Sequence, residues 1–146
     1  MGQLILPPSG LVYVDANVVI YSVEKIEPYW TLLQPMWQAC QAGQISLVSS
    51  ELLFLETLVK PIREFDNILE NIFRQLLLDS QEFQLVPINL AILDSAAHLR
   101  AKLNLKPPDA IHAATALELN CALFLTNDGI FQRVPNLPVA ILKSML

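Results

Sequence analysis

The chain has 146 residues, with 9 Lys+Arg against 14 Asp+Glu and a formal net charge of −5. That length predicts one domain over residues 1–146, since domains cluster near ~100–150 residues, and a domain of this size buries roughly 70% of its unfolded surface. Hydrophobic residues make up 53% and charged residues 16%, which excludes disorder and also a heavily charged coat that grips polyanions by bulk attraction. Any polyanion must be held at a local site or through metal ions. So few charges leave apolar surface for a partner, which predicts an oligomer or complex. Cys40 and Cys121 are too few for a disulfide framework, lack metal-ligand spacing and read as buried thiols. The first residues carry no Lys or Arg before their apolar run, and Leu6 stands where a myristoylation signal needs Ser or Thr. No apolar stretch approaches the ~18 residues of a membrane span, so the expected location is the cytoplasm.

Strands and helices alternate along the chain. Leu11-Val12-Tyr13-Val14 is a short apolar run ending at Asp15 and reads as a buried strand. A helix of a turn or two follows from Asn17 to Val23. Helical spacing of apolar residues runs from Tyr29 to Ala42, with Gly43 placed to terminate it. Ile45 to Val48 is a second strand, and Ser50 is the expected N-cap of a helix through Val59 that Pro61 ends or kinks. Asp66 to Asp79 reads as one amphipathic helix, Phe83 to Pro87 as a third strand, and Asn89 as the cap of a helix reaching Leu103 and ending at Asn104. Pro107-Pro108 launches a helix over Asp109–Leu119 rich in small residues, which favour close packing on a sheet. Ala122 to Leu125 and Pro138 to Leu142 complete the strands. This alternation predicts an α/β domain, a three-layer α/β/α sandwich around a central, mostly parallel sheet.

Open parallel sheets bind ligands at the carboxyl ends of their strands. Asp15 and Asp128 fall there, and Glu56 and Asp109 lie on helices that can face that edge. Each has a plain structural explanation: Asp15 as a turn or cap, Asp109 as a favourable charge in a first helical turn, Asp128 as part of an Asn-Asp-Gly turn. Glu56 resists one, because it interrupts Leu52-Leu53-Phe54-Leu55 and Leu58-Val59, where a carboxylate is costly unless paired or bound to a cation. Together the four acids point to a divalent metal site, since hard Mg²⁺ or Mn²⁺ prefers carboxylate oxygens and retained waters. A zinc-type HExxH pair, a GxxxxGK[ST] loop and a GxGxxG turn are all absent from the sequence. Ser49-Ser50 lacks a His–Asp partner pattern, and the isolated His98 and His112 read as packing or surface residues.

These segments resemble a known family. The stretch from Val14 through Asp15, Ala16 and Asn17 to Tyr21 is similar to the opening of PIN domains. Ser50 with Glu56 six residues later resembles the second block, Pro108-Asp109-Ala110-Ile111-His112-Ala113-Ala114-Thr115-Ala116 the third, and Leu125-Thr126-Asn127-Asp128-Gly129-Ile130-Phe131 the fourth. Size and layout resemble most the toxins of VapC type, and the likeness covers residues 11–142. One departure is Ala16, where the family usually carries Ser or Thr.

The resemblance implies a metal-dependent endoribonuclease, the toxin of a toxin–antitoxin pair. It implies that Asp15, Glu56, Asp109 and Asp128 bind one or two Mg²⁺ or Mn²⁺ ions and that Asn17 and Thr126 orient those carboxylates. It also implies an RNA substrate, a homodimer and a small antitoxin seated in an apolar groove, for which the helices at 29–42 and 50–60 are candidates. Arg100, Lys102, Lys106 and Arg133 flank the acidic segments as phosphate contacts or ordinary surface charges. Three other readings compete. A phosphatase of the haloacid-dehalogenase kind needs a second Asp where Asn17 stands, and a receiver domain needs a Lys after a late strand where Thr126-Asn127-Asp128 follows. The third is a degenerate PIN domain that binds RNA or protein without catalysis.

Overall fold

The computed structural model describes residues 2–146. Five short strands form its centre: β1 (Leu11–Val14), β2 (Ser46–Ser50), β3 (Phe83–Val86), β4 (Leu123–Thr126) and β5 (Val139–Ile141). Their spatial order is β3-β2-β1-β4-β5, and every neighbouring pair is parallel. Parallel neighbours need crossovers, which six helices supply: α1 (Ala16–Val23), α2 (Tyr29–Gln41), α3 (Leu52–Arg63), α4 (Asn67–Arg74), α5 (Leu90–Leu103) and α6 (Pro107–Glu118). The strand order reverses at β1, so β1 and its neighbours carry the topological switch point at their carboxyl ends.

Strand residues alternate between faces, and the buried set follows that alternation. Val12 and Val14 of β1, with Leu47 of β2, join the core beneath α1 to α4. Tyr13, Val48 and Phe124 point the other way and join the core beneath α5 and α6. Tyr13 stacks on Phe124 with ring centroids 4.9 Å apart, and Phe124 tilts against Phe131 at 4.7 Å. Ala110, Ala113, Ala114 and Ala116 are all buried, so α6 lies close on the sheet because its inner face has almost no side-chain bulk. Helices thus cover both faces of an all-parallel sheet, the sandwich expected from the alternation. Among the described residues no helix is long and apolar enough to cross a membrane, and Cys40 and Cys121 are buried free thiols, as read.

Several boundaries differ from expectation for local reasons. Ser50 does not cap α3; it closes β2 opposite Val86, while its hydroxyl accepts the Leu52 N–H at 3.1 Å. Pro61 does not end α3, which runs to Arg63 with the proline buried on its inner side; its missing N–H forgoes one helical bond, to the Thr57 carbonyl. The expected helix over 66–79 starts one residue later, with Asp66 accepting the Leu69 N–H at 3.1 Å, and widens into a π turn at Gln75–Asp79 that keeps both Phe73 and Leu77 buried. Pro107 and Pro108 lie inside the first turn of α6 rather than before it, where missing N–H groups cost nothing. Asn89 caps α5 through the Ile92 N–H at 2.9 Å, and Asn104 ends it in the left-handed region at φ 54°. Gly43 follows α2 at φ 78°, the conformation for which glycine is the cheapest residue.

Candidate metal centre

Asp15 leaves β1 at the carboxyl edge and is nearly buried, at 9% exposure. Its backbone N–H donates to the Leu125 carbonyl of β4 at 3.0 Å. Its carboxylate is held twice: Oδ1 accepts the Ala16 N–H at 2.8 Å, and Oδ2 accepts the Thr126 hydroxyl at 2.8 Å. Asp15 is therefore both the cap of α1 and the centre of the acidic group. Thr126 is itself buried and accepts the Asp128 N–H at 3.0 Å, so one hydroxyl ties the first and fourth acidic segments together. Asp128 Oδ1 accepts the Ile130 N–H at 3.0 Å, which fixes the turn after β4. Asn127 pins the same loop, donating to the Tyr21 hydroxyl at 3.1 Å and accepting the Lys143 N–H at 2.9 Å.

Glu56 reaches the site from α3. Its Oε1 lies 2.6 Å from His112 Nε2, and His112 Nδ1 lies 2.6 Å from the Tyr13 hydroxyl, which accepts the Ser50 N–H at 3.1 Å. His112 Nε2 is also 4.0 Å from Asp15 Oδ1, beyond hydrogen-bond reach. Ligand atoms of Asp15, Glu56 and His112 lie within 4.8 Å of one another, and no other such group of His, Cys, Asp and Glu occurs among the described residues. Burial pushes the Tyr13 phenol above its ordinary range, so it keeps its proton.

Asp109 and Asp128 stand beside this group and line a cavity of about 250 Å³ with Asn104, Lys106 and Ile130. The Asp109 carboxyl is pushed up from its ordinary value by burial and then by the charges of Asp128 and Asp15, partly offset by His112 and Lys106. None of Asp15, Glu56, Asp109 and Asp128 forms an ion pair with a Lys or Arg among the described residues; Glu56 and Asp15 have the His112 ring beside them instead. Negative charge is thus gathered from four elements without a fixed basic partner. A hard divalent cation fits such a donor set, because it neutralises carboxylates that would otherwise repel.

The expected supporting residues divide. Thr126 orients Asp15 directly, whereas Asn17 is half-buried in the first turn of α1 and the bonds to Asp15 come from Ala16 and Thr126. Of the flanking cations, Lys106 lines the Asp109–Asp128 cavity, Arg100 is spent on the Leu105 carbonyl at 2.9 Å, and Lys102 lines a crevice with His98 and Glu118 between α5 and α6. Sequence reasoning missed His112 and Tyr13. Both carried a signal: His112 is a lone polar ring in an alanine-rich buried helix, and Tyr13 is a hydroxyl in an apolar strand, so each needs a buried partner.

A PIN domain family model matches residues 12–137, and the chain belongs to that family. Three solved structures are similar in fold over 90% of this chain. They are a VapBC2 complex from Rickettsia felis bound to a DNA fragment from its promoter (TM-score 0.67, 16% identity, 98% of that chain covered), a toxin–antitoxin complex from Klebsiella pneumoniae (0.64, 22%, 97%) and FitAcB from Neisseria gonorrhoeae (0.67, 16%, 98%). No curated protein sequence matches this chain.

Proposed function

We propose that this chain is a Mg²⁺- or Mn²⁺-dependent endoribonuclease and the toxin of a toxin–antitoxin pair. The observation that carries this reading is the cluster of Asp15, Glu56, Asp109 and Asp128 at the carboxyl edge of the sheet without a Lys or Arg partner. These four residues would hold one or two ions, directly or through water. When bound, such an ion supplies water of lowered pKa and offsets charge at the scissile phosphate. The chain's own residues do the rest. Asp15 is locked by two donors, so its carboxylate keeps one orientation without rearrangement. Thr126 holds Asp128 in register with Asp15. Lys106, beside the Asp109–Asp128 cavity, is placed to meet a phosphate oxygen of a bound strand.

The partner surface we assign lies on α3 and α4. Leu55, Val59, Ile62, Ile68 and Ile72 are exposed there, with Phe65 exposed in the turn between the two helices. An apolar groove of about 510 Å³ runs among Phe54, Leu55, Leu58, Val59, Ile62 and Arg74. An amphipathic antitoxin segment fits a groove of that kind, in keeping with the complexes formed by the similar toxins. A homodimer accounts for further apolar surface on a chain so poor in charge.

The test is cleavage of an end-labelled RNA pool in Mn²⁺, in Mg²⁺ and in chelator. Internal cuts are expected only with metal, and Asp15→Asn is expected to abolish them while the chain stays folded by circular dichroism. Cleavage that persists in chelator, or at the wild-type rate in Asp15→Asn, refutes the reading.

A further inference from the structure

We infer that His112 is a positioning residue: its Nε2–H holds the Glu56 carboxylate in place, and Tyr13 with the Ser50 backbone amide fixes the imidazole in the tautomer that does so. This rests on the metal-site reading above.

The assignment follows from counting protons along the chain of contacts. The Ser50 N–H can only donate, so the Tyr13 oxygen is its acceptor. Tyr13 then has one proton to place. Its close neighbour is His112 Nδ1 at 2.6 Å. The Glu56 carboxylate can only accept, so its 2.6 Å contact calls for the proton on Nε2 and leaves Nδ1 to accept from Tyr13. That proton points at Glu56 Oε1, 2.6 Å away, and not at Asp15, which is at 4.0 Å. An Nε2 that carries a proton has no lone pair for a metal, so His112 stands in the Asp–Glu–His group as a donor to a ligand and not as a ligand.

The arrangement matters because Glu56 has one more side-chain torsion to fix than each of the three aspartates. It projects from α3 on a long side chain whose ordering costs conformational entropy. His112 is 1% exposed and held at both nitrogens, so it restrains Glu56 from a rigid wall. One carboxylate oxygen is occupied, and the other is left for a cation. The ring is carried by α6 and its tautomer is set by β1 and β2, so three elements meet to orient one side chain of a fourth.

The experiment uses the full chain and compares wild type with His112→Leu, His112→Gln and Tyr13→Phe. Long-range ¹H–¹⁵N spectra read which ring nitrogen carries the proton, with exposed His98 the single other histidine. Calorimetric titration with Mn²⁺ alone reads affinity, and RNA cleavage reads kcat and KM. The expected results are a proton on Nε2 and, in His112→Leu, about a 10- to 100-fold loss in Mn²⁺ affinity and kcat with KM for RNA little changed. Tyr13→Phe is expected to lose less in the same direction, and His112→Gln to recover part of the loss through its amide donor. A proton on Nδ1, or wild-type Mn²⁺ affinity in His112→Leu, overturns the inference while leaving the metal site standing. A neutral Tyr13→Phe with both His112 variants dead to metal overturns it in favour of direct ligation. If wild type itself takes up no Mn²⁺, the proposed function fails and this inference with it. Should His112→Leu not fold, the spectra and Tyr13→Phe decide.

Discussion

Replacing Thr126 by valine probes the joint between the first and fourth acidic segments. The two side chains have nearly the same shape, so the change removes a hydroxyl and little else. Thr126 is fully buried, donates to Asp15 Oδ2 at 2.8 Å and accepts the Asp128 N–H at 3.0 Å. A hydrogen bond to a charged group contributes about 1.5–3 kcal/mol, and a donor left without a partner costs about 1–3 kcal/mol. The added methyl offsets up to about 0.8 kcal/mol, and neighbouring losses do not add fully. The expected net destabilisation is about 2–4 kcal/mol. At this chain length each kcal/mol moves Tm by about 2–4 °C, so Thr126→Val is expected to melt about 4–16 °C below wild type. Thr126→Ser keeps the hydroxyl and is expected to fall by a third of that or less. The assay is thermal unfolding followed by circular dichroism, in chelator so that metal binding does not contribute. A Thr126→Val melt within about 2 °C of wild type, or Thr126→Ser melting lower than Thr126→Val, refutes the bridge as a support of the site.

Two further outcomes follow from the same geometry. Asp109 has its carboxyl pushed above the ordinary value of 3.8 by burial and by Asp128 and Asp15; over the window between 3.8 and its folded value the native state binds more protons than the unfolded state, so metal-free protein loses stability as pH rises through that window. Asp109→Asn in chelator should therefore melt above wild type at neutral pH, with the gap closing as pH falls toward the ordinary value; a variant melting at or below wild type at neutral pH contradicts the sign. Exposed apolar residues outside α3 and α4, such as Leu90 and Leu93, and the low charge fraction predict self-association, so light scattering on the chain alone at micromolar concentration should give twice the 16.3 kDa chain mass, and a monomer would remove the dimer from the proposal.

Much of the architecture is legible in the amino-acid order because it rests on local signals. Short apolar runs such as Leu11–Val14 and Leu123–Leu125 have no stable home but a sheet covered on both faces, and the proline and asparagine positions punctuate the helices between them. The apolar alternation needed no tertiary information to be read as parallel α/β. What misled was punctuation whose cost depends on place. Pro61 withholds one helical hydrogen bond, yet α3 runs on to Arg63 because Leu53, Leu58 and Pro61 itself are buried on its inner face.

The acids were legible as candidates for the same reason, since Glu56 in an apolar helix is expensive without a purpose. Their separate roles were not. Asp15 serves as cap and site centre at once, and nothing in its neighbours in sequence says which oxygen meets Thr126, a residue far along the chain. His112 was the largest omission. Along the chain it is one polar ring among alanines; in space it lies between Glu56 of α3 and Tyr13 of β1. Local propensity and hydrophobic period determine which segments become helices and strands, because those preferences act within a few residues. Only the packed sheet decides which hydrogen bonds its buried polar groups make, because donor and acceptor come from elements that meet only when the chain has folded.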